Sequence, residues 1–185
     1  ILDEGCADSG NNTNWKFALD MTGKVQTSTG MSLNNVTVAL SINGAAAAGT
    51  DITDTGGEFT ITGLAFTGGS VISLYIDGST HDGVTVTSGS GGNMTGVTLI
   101  TNNLIVRSGT GTHISNGAPI TSAMLDTANN NADADITALY TMSSLDTTIL
   151  SGKKLYVWTG STLNLGGTLT VNTELHLKGN LTQNN

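Results

Sequence analysis

The chain has 185 residues, which is enough for one large or two small domains with a hydrophobic core. Its net charge of −8, with six Lys and Arg residues in all, excludes a nucleic-acid groove, because such a groove needs clustered cations. Charged residues make up 11% and aromatic residues 4%, so Val, Ile and Leu must build the core. Abundant Gly, Thr, Ser and Asn indicate an all-β fold rich in turns.

The acidic excess, the few lysines and the many hydroxyl residues are typical of secreted bacterial surface proteins, so we expect an extracellular or cell-surface location. No apolar run approaches the length of a membrane span. The first residues lack a signal-peptide pattern, and we interpret the chain as a mature or excised piece of something larger.

Residues 1–16 form a polar leader without hydrophobic period. At its end Trp15, Phe17 and Leu19 alternate with other residues and predict a strand. This strand either pairs within its own domain or adds to a neighbouring subunit, since a short apolar strand behind a polar leader suits strand addition. Trp15, Phe17 and Leu19 are therefore the predicted assembly residues.

Residues 17–102 are predicted to form an Ig-like or transthyretin-like β-sandwich domain. The run from Val36 to Ile42 alternates with period two, which predicts a strand with one buried face. Asn43-Gly44 signals a hairpin. In the turn at residues 54–57, Asp54 is expected to bond the backbone two residues on, and Gly56-Gly57 allow positive φ. Further short strands at near-regular spacing complete the sandwich pattern.

Three segments of this region carry a family resemblance: Gly23-Lys24-Val25, residues 33–40 and residues 53–64. Together they resemble the carboxypeptidase regulatory-like family of transthyretin-type β-sandwiches over about residues 20 to 100. The resemblance implies an accessory or spacer module without an active site of its own, often found in tandem on bacterial surface proteins.

Residues 103–185 are predicted to form a second β-rich domain. Short apolar rungs separated by glycines, such as Leu155–Trp158, suggest a β-solenoid edge or a meander. Residues 119–125 fit a strand or a helix. Apolar positions between Ile136 and Met142 have helical spacing, so we expect at most one short helix. A truncated rung near Leu181 would expose a pairing edge.

One acidic stretch in this half has the chemistry of a cation site. Side-chain oxygens recur through it, and Ca²⁺ takes six to eight oxygen ligands, including Asn and backbone carbonyls. The alternative is a solvated acidic loop. The predicted calcium ligands are Asp126, Asn129, Asn131, Asp133 and Asp135.

No spacing in the sequence matches a nucleophile elbow, a phosphate-binding loop or a catalytic triad. We therefore expect no enzyme activity and no required cofactor. The leading interpretation is an extracellular structural module, a repeating unit of a bacterial surface or filament-forming protein that assembles head to tail by strand pairing and packing. Its partners would be copies of itself or neighbouring modules of the same chain.

The alternative is a carbohydrate-binding or adhesin module of a secreted multidomain protein. In that case aromatic rings would serve as stacking platforms for a glycan. The candidates are Trp15, Tyr75, Tyr156 and Trp158.

Overall fold

The computed structural model describes residues 18–108, 118–131 and 133–183, and the predicted assembly residues Trp15 and Phe17 lie outside these ranges. The all-β class is confirmed, but the described residues contain two helices where at most one was expected. The first seven strands are β1 (Leu19–Gln26), β2 (Thr37–Ile42), β3 (Gly49–Ile52), β4 (Glu58–Leu64), β5 (Val71–Asp77), β6 (Val84–Ser88) and β7 (Met94–Ile100).

The remaining elements begin immediately after β7 and end at Gln183. They are β8 (Asn103–Arg107), β9 (Ile120–Thr121), α1 (Ser122–Asn129), α2 (Ala134–Thr137), β10 (Tyr140–Ser143), β11 (Asp146–Ile149), β12 (Lys154–Val157), β13 (Thr162–Leu165), β14 (Leu169–Val171), β15 (Glu174–Leu177) and β16 (Asn180–Gln183). Neither described helix has the length and apolar character needed to cross a bilayer.

The first half is a sandwich of two sheets. A three-stranded sheet, β4-β1-β7, faces strands of a larger sheet across one hydrophobic core. The turn before β4 forms as predicted: the Asp54 carboxylate accepts hydrogen bonds from the Gly56 and Glu58 amides at 2.8 and 2.9 Å, and Gly57 has φ of 75°. Leu19 pairs with Leu64 of β4, so this end of the predicted Trp15–Leu19 strand pairs within its own sandwich.

The larger sheet runs across the predicted boundary between residues 102 and 103. Its strand order is β15-β12-β8-β6-β5-β2-β3, and β6 and β8 are joined in parallel. Val38 and Leu40 of β2 enter the sandwich core, while Ala39 between them enters a second core on the opposite face. The prediction of one buried face for this strand was wrong, because the second half of the chain covers the other face.

The second half is a parallel β-solenoid, which decides between the two predicted architectures, since a meander would be antiparallel. Three ladders form its sides: β8-β12-β15, β9-β13-β16 and β11-β14. Lys154 pairs with Glu174, twenty residues further along, and Thr162 pairs with Asn180, eighteen further along. One solenoid turn therefore takes close to twenty residues.

The helices lie within the first solenoid turn, between β9 and β11. Thr121 caps α1 by accepting a hydrogen bond from the Met124 amide at 3.2 Å, and Leu125 and Ala128 face the core. Asp133 caps α2 by accepting from the Asp135 amide at 2.9 Å. The helix expected over residues 136–142 is thus shorter and starts earlier, and residues 119–125 hold both a short strand and a helix start.

Candidate functional site

The last solenoid turn presents an open end, here called the end face and defined by β14, β15 and β16. Each of these strands pairs on one side only, with β11, β12 and β13 respectively, so among the described residues no strand covers the far side. Leu175 and Leu177 of β15 are 40% and 48% exposed, whereas Leu155 and Val157, their partners on β12, are fully buried. The end face is therefore an apolar surface bordered by unpaired backbone groups, as predicted for the edge near Leu181.

A shallow groove runs across the end face. Five aliphatic residues from three sides of the solenoid line it, with Thr168 and Gln183 at its margin. The aliphatic residues are Leu165, Leu169, Val171, Leu175 and Leu181. A groove of this composition takes apolar side chains in preference to a charged small molecule.

The outer side of β12 and β15 carries a second feature, a row of paired side chains that we call the outer ladder. Lys154 Nζ lies 2.6 Å from Glu174 Oε2, and His176 Nε2 lies 2.8 Å from Glu174 Oε1. The Tyr156 ring stacks on His176 at 5.7 Å between centroids and lies 5.3 Å from the Trp158 ring at 44°. The two predicted platforms Tyr156 and Trp158 are thus neighbours, and both are half-buried.

Arg107 anchors one end of the outer ladder. Its guanidinium lies 5.5 Å from the centre of the Trp158 ring and donates a 2.6 Å hydrogen bond to the Gly96 carbonyl of β7. Burial lowers the pKa of Arg107, because desolvation disfavours the charged form. The cation therefore ties Trp158 to the sandwich and restricts the orientation of its ring.

Tyr75 does not serve as a stacking platform, which corrects the sequence interpretation. It is 2% exposed and belongs to the core between the sheet and the helices. Burial raises the pKa of the Tyr75 phenol to about 12, with nearby Asp133 and Asp77 adding to the effect. A glycan cannot reach a ring enclosed in this way.

The acidic stretch is assembled differently from the predicted ligand set. Carboxylate oxygens of Asp77, Asp133 and Asp135, here called the carboxylate trio, lie within 4.8 Å of one another. Asp126 and Asn129 lie on α1, where the Asn129 side chain donates to the Tyr140 carbonyl at 3.0 Å. Of the predicted ligands, Asp133 and Asp135 thus lie together, and they are joined by Asp77, at the end of β5, which sequence spacing did not indicate.

The electrostatics of the carboxylate trio are unfavourable without a counter-charge. Burial raises the pKa of Asp135, and the negative charges of Asp133, Asp77 and Asp82 raise it further. A 2.9 Å hydrogen bond from the Gly78 amide acts in the opposite direction and lowers it. Three carboxylates are hard oxygen ligands of the kind that Ca²⁺ binds, and backbone carbonyls or water would have to complete six to eight ligands. The predicted calcium remains a prediction, with this trio as its best location.

No family model and no curated protein matches the chain. Among solved structures, a DUF3823 family protein from Parabacteroides merdae ATCC 43184 is similar at 19% identity, over 45% of each chain and with a TM-score of 0.33. The resemblance to carboxypeptidase regulatory-like domains stays a resemblance.

Proposed function

We propose that the chain is an extracellular structural module, a repeating unit of a bacterial surface or filament-forming protein, and that it joins its neighbours head to tail. The tail is the end face, which meets the head of the next module along; in this chain the head is the opposite, sandwich end of the molecule. The observation that carries this proposal is the exposure of Leu175 and Leu177 beside strand edges that no described strand covers, whereas the same positions one turn earlier are buried.

Strand pairing and packing would supply the energy of the joint. The outer edge of each of these strands offers backbone donors and acceptors to an incoming strand, and covering each exposed leucine contributes up to about 2 kcal/mol. A contact between two different surfaces does not close on itself unless its rotation closes a ring, so repeated contacts of this kind build a filament.

The test is electron microscopy of the native assembly, captured with an antibody against the chain, together with labelling of intact cells. We expect periodic fibres or arrays outside the cell. Discrete monomers, or label confined to the cell interior, would contradict the proposal.

A variant pair in the native host makes the same test specific for the end face. Leu175→Lys combined with Leu177→Lys places charge on the joint and is expected to abolish the periodic assembly. Leu145→Lys is the matched control, because Leu145 is also 40% exposed but lies in the β10–β11 turn, outside β14, β15 and β16. If the two variants assembled equally well, or both failed to assemble, the end face would not be the joint.

A second candidate function is glycan binding at the outer ladder, which the half-exposed neighbours Tyr156 and Trp158 favour. Their 44° tilt gives no single flat platform, so a sugar ring would stack on one of them while Lys154 and Glu174 offer polar contacts. Titration against surface polysaccharides is the test: Tyr156→Ala should abolish binding and Tyr156→Phe should retain it. Equal binding by both of these variants and by Trp158→Ala would reject this function.

A further inference from the structure

We infer that the neighbour seated on the end face is a parallel β-solenoid turn, supplied by an adjoining module that begins with such a turn, and not the head of a second copy. This inference rests on the proposed function, in which the end face is the joint. It specifies the structure of the partner and excludes assembly of this chain with itself head to tail.

The first argument is the continuity of the ladders. Inward-facing residues stack in register from turn to turn, so that Leu104, Leu155 and Leu175 form one column. Leu104 and Leu155 have a strand on both sides and are fully buried, while Leu175 has a strand on one side and is 40% exposed. A further strand in the same ladder would lie at the regular strand spacing from β15 and would cover Leu175.

The second argument is that three sides of the solenoid end together. β14, β15 and β16 make one complete turn, and within the described ranges each pairs with a strand on one side only. A single added strand would pair with one side and leave the groove between the other two exposed. A full turn of close to twenty residues would pair with all three edges and close the groove.

The third argument concerns the sandwich end of a second copy. Among the described residues this end has no complete solenoid turn whose edges are open for pairing. In this chain two of the three strands of the first turn are already covered, because β6 pairs with β8 and β10 pairs with β11, and the third, β9, is two residues long. Strand β3, at the far edge of the larger sheet, carries Asp51. The Asp51 carboxylate accepts hydrogen bonds from the Ile52 and Thr60 amides at 2.8 and 2.6 Å. A carboxylate on an edge strand opposes strand addition, so this edge is a poor partner for an apolar end face.

The ladder also indicates the sequence of the incoming strand. On its outer side Glu174 of β15 pairs with Lys154 of β12, and the His176 ring stacks on the Tyr156 ring, so the last two turns meet through opposite charges and stacked rings. The strand that pairs with β15 should therefore carry a cation beside Glu174 and an aromatic residue beside His176. Its inward residues, next to Leu175 and Leu177, should be aliphatic.

The competing occupant is a second copy joined tail to tail. Antiparallel pairing of β15 with itself about His176 would set Glu174 against Lys178 of the second copy and Leu175 against its Leu177. This arrangement is also apolar and charge-complementary, so the experiment must separate it from a parallel turn.

The experiment extends the full chain after Asn185 by one designed turn that copies residues 166–183. The control extension replaces the copies of Leu175, Leu177 and Leu181 with Asn. We expect amide hydrogen exchange in β15 and β16 to slow at least about tenfold with the first extension and to remain unchanged with the control. Unchanged exchange with both extensions would overturn the inference.

Sedimentation of the unextended chain completes the test. A monomer supports the inference, because the required partner is absent. A dimer that Glu174→Lys disrupts and the added Lys178→Glu restores is the tail-to-tail pair and overturns it. Periodic fibres of the chain alone would also overturn it, while leaving the proposed structural function intact.

Discussion

The hydroxyl of Tyr140 donates a hydrogen bond to the backbone carbonyl oxygen of Leu125 at 3.0 Å and so joins β10 to α1. Both residues are fully buried in the core shared by the solenoid and the central sheet. Burial also raises the pKa of Tyr140, so the phenol stays protonated and remains a donor at neutral pH.

Tyr140→Phe should therefore lower the free energy of unfolding by about 1 kcal/mol, the net contribution of one buried hydrogen bond. Urea denaturation at neutral pH measures this change. Tyr156→Phe is the control, since Tyr156 is half-buried on the outer ladder and should change stability by less than about 0.5 kcal/mol. Equal losses in the two variants would show that the Tyr140–Leu125 bond is not the cause.

Gly23 in β1 marks a close contact inside the sandwich. A Cβ at this position would meet the Val97 carbonyl oxygen, and it would lie 2.8 Å from a carbon of the Phe59 ring. Because a backbone oxygen and a buried ring cannot both move away, Gly23→Ala should cost about 1–3 kcal/mol. Gly92→Ala, which adds its methyl group to open space, should be near neutral in the same thermal or urea unfolding assay.

The strands of the sandwich could be predicted from the sequence, but their full burial could not. Ile72, Leu74 and Ile76 alternate with period two and correctly indicate a strand. Ser41 and Ser73 are small and polar and therefore indicate a solvent face, yet both are buried. The cover on that side comes from residues after 118, and local periodicity carries no information about it.

The length of the solenoid repeat and the position of the carboxylate trio could not be predicted from the sequence, for a similar reason. The first turn is lengthened by the segment that holds α1 and α2, so Asn103 pairs with Lys154 although later turns are close to twenty residues long. Asp77 and Asp133 meet because α2 packs near the end of β5, which no spacing in the sequence indicates. The rungs themselves are recognisable because β12, β13, β14 and β15 each keep aliphatic residues two apart.

The raised pKa of Asp135 predicts a specific pH dependence. A carboxyl group whose pKa is higher in the folded state binds its proton more tightly when folded, so ionisation disfavours folding at neutral pH. This penalty disappears as the pH falls from neutral through the raised pKa towards the usual value of 3.8.

Asp135→Asn should accordingly be more stable than the parent chain at pH 7, because Asn keeps an oxygen that accepts from the Gly78 amide. The difference in unfolding free energy should shrink on acidification and vanish near pH 3. Urea denaturation across this range measures it. A variant that is less stable than the parent at pH 7 would mean that the carboxylate contributes more by its hydrogen bonds than it costs by repulsion.

Calcium should stabilise the chain through the carboxylate trio, because a divalent cation relieves the repulsion among three carboxylates within 4.8 Å. We expect millimolar Ca²⁺ to raise the unfolding temperature by about 2–4 °C for each kcal/mol of binding free energy, and EDTA to reverse the shift. Asp77→Asn should abolish the response and Asp126→Asn should preserve it, since Asp126 lies on α1 outside the trio. Loss of the response in Asp126→Asn alone would instead favour the ligand set predicted from the sequence, and an unchanged melting curve for the parent chain would reject calcium binding at either place.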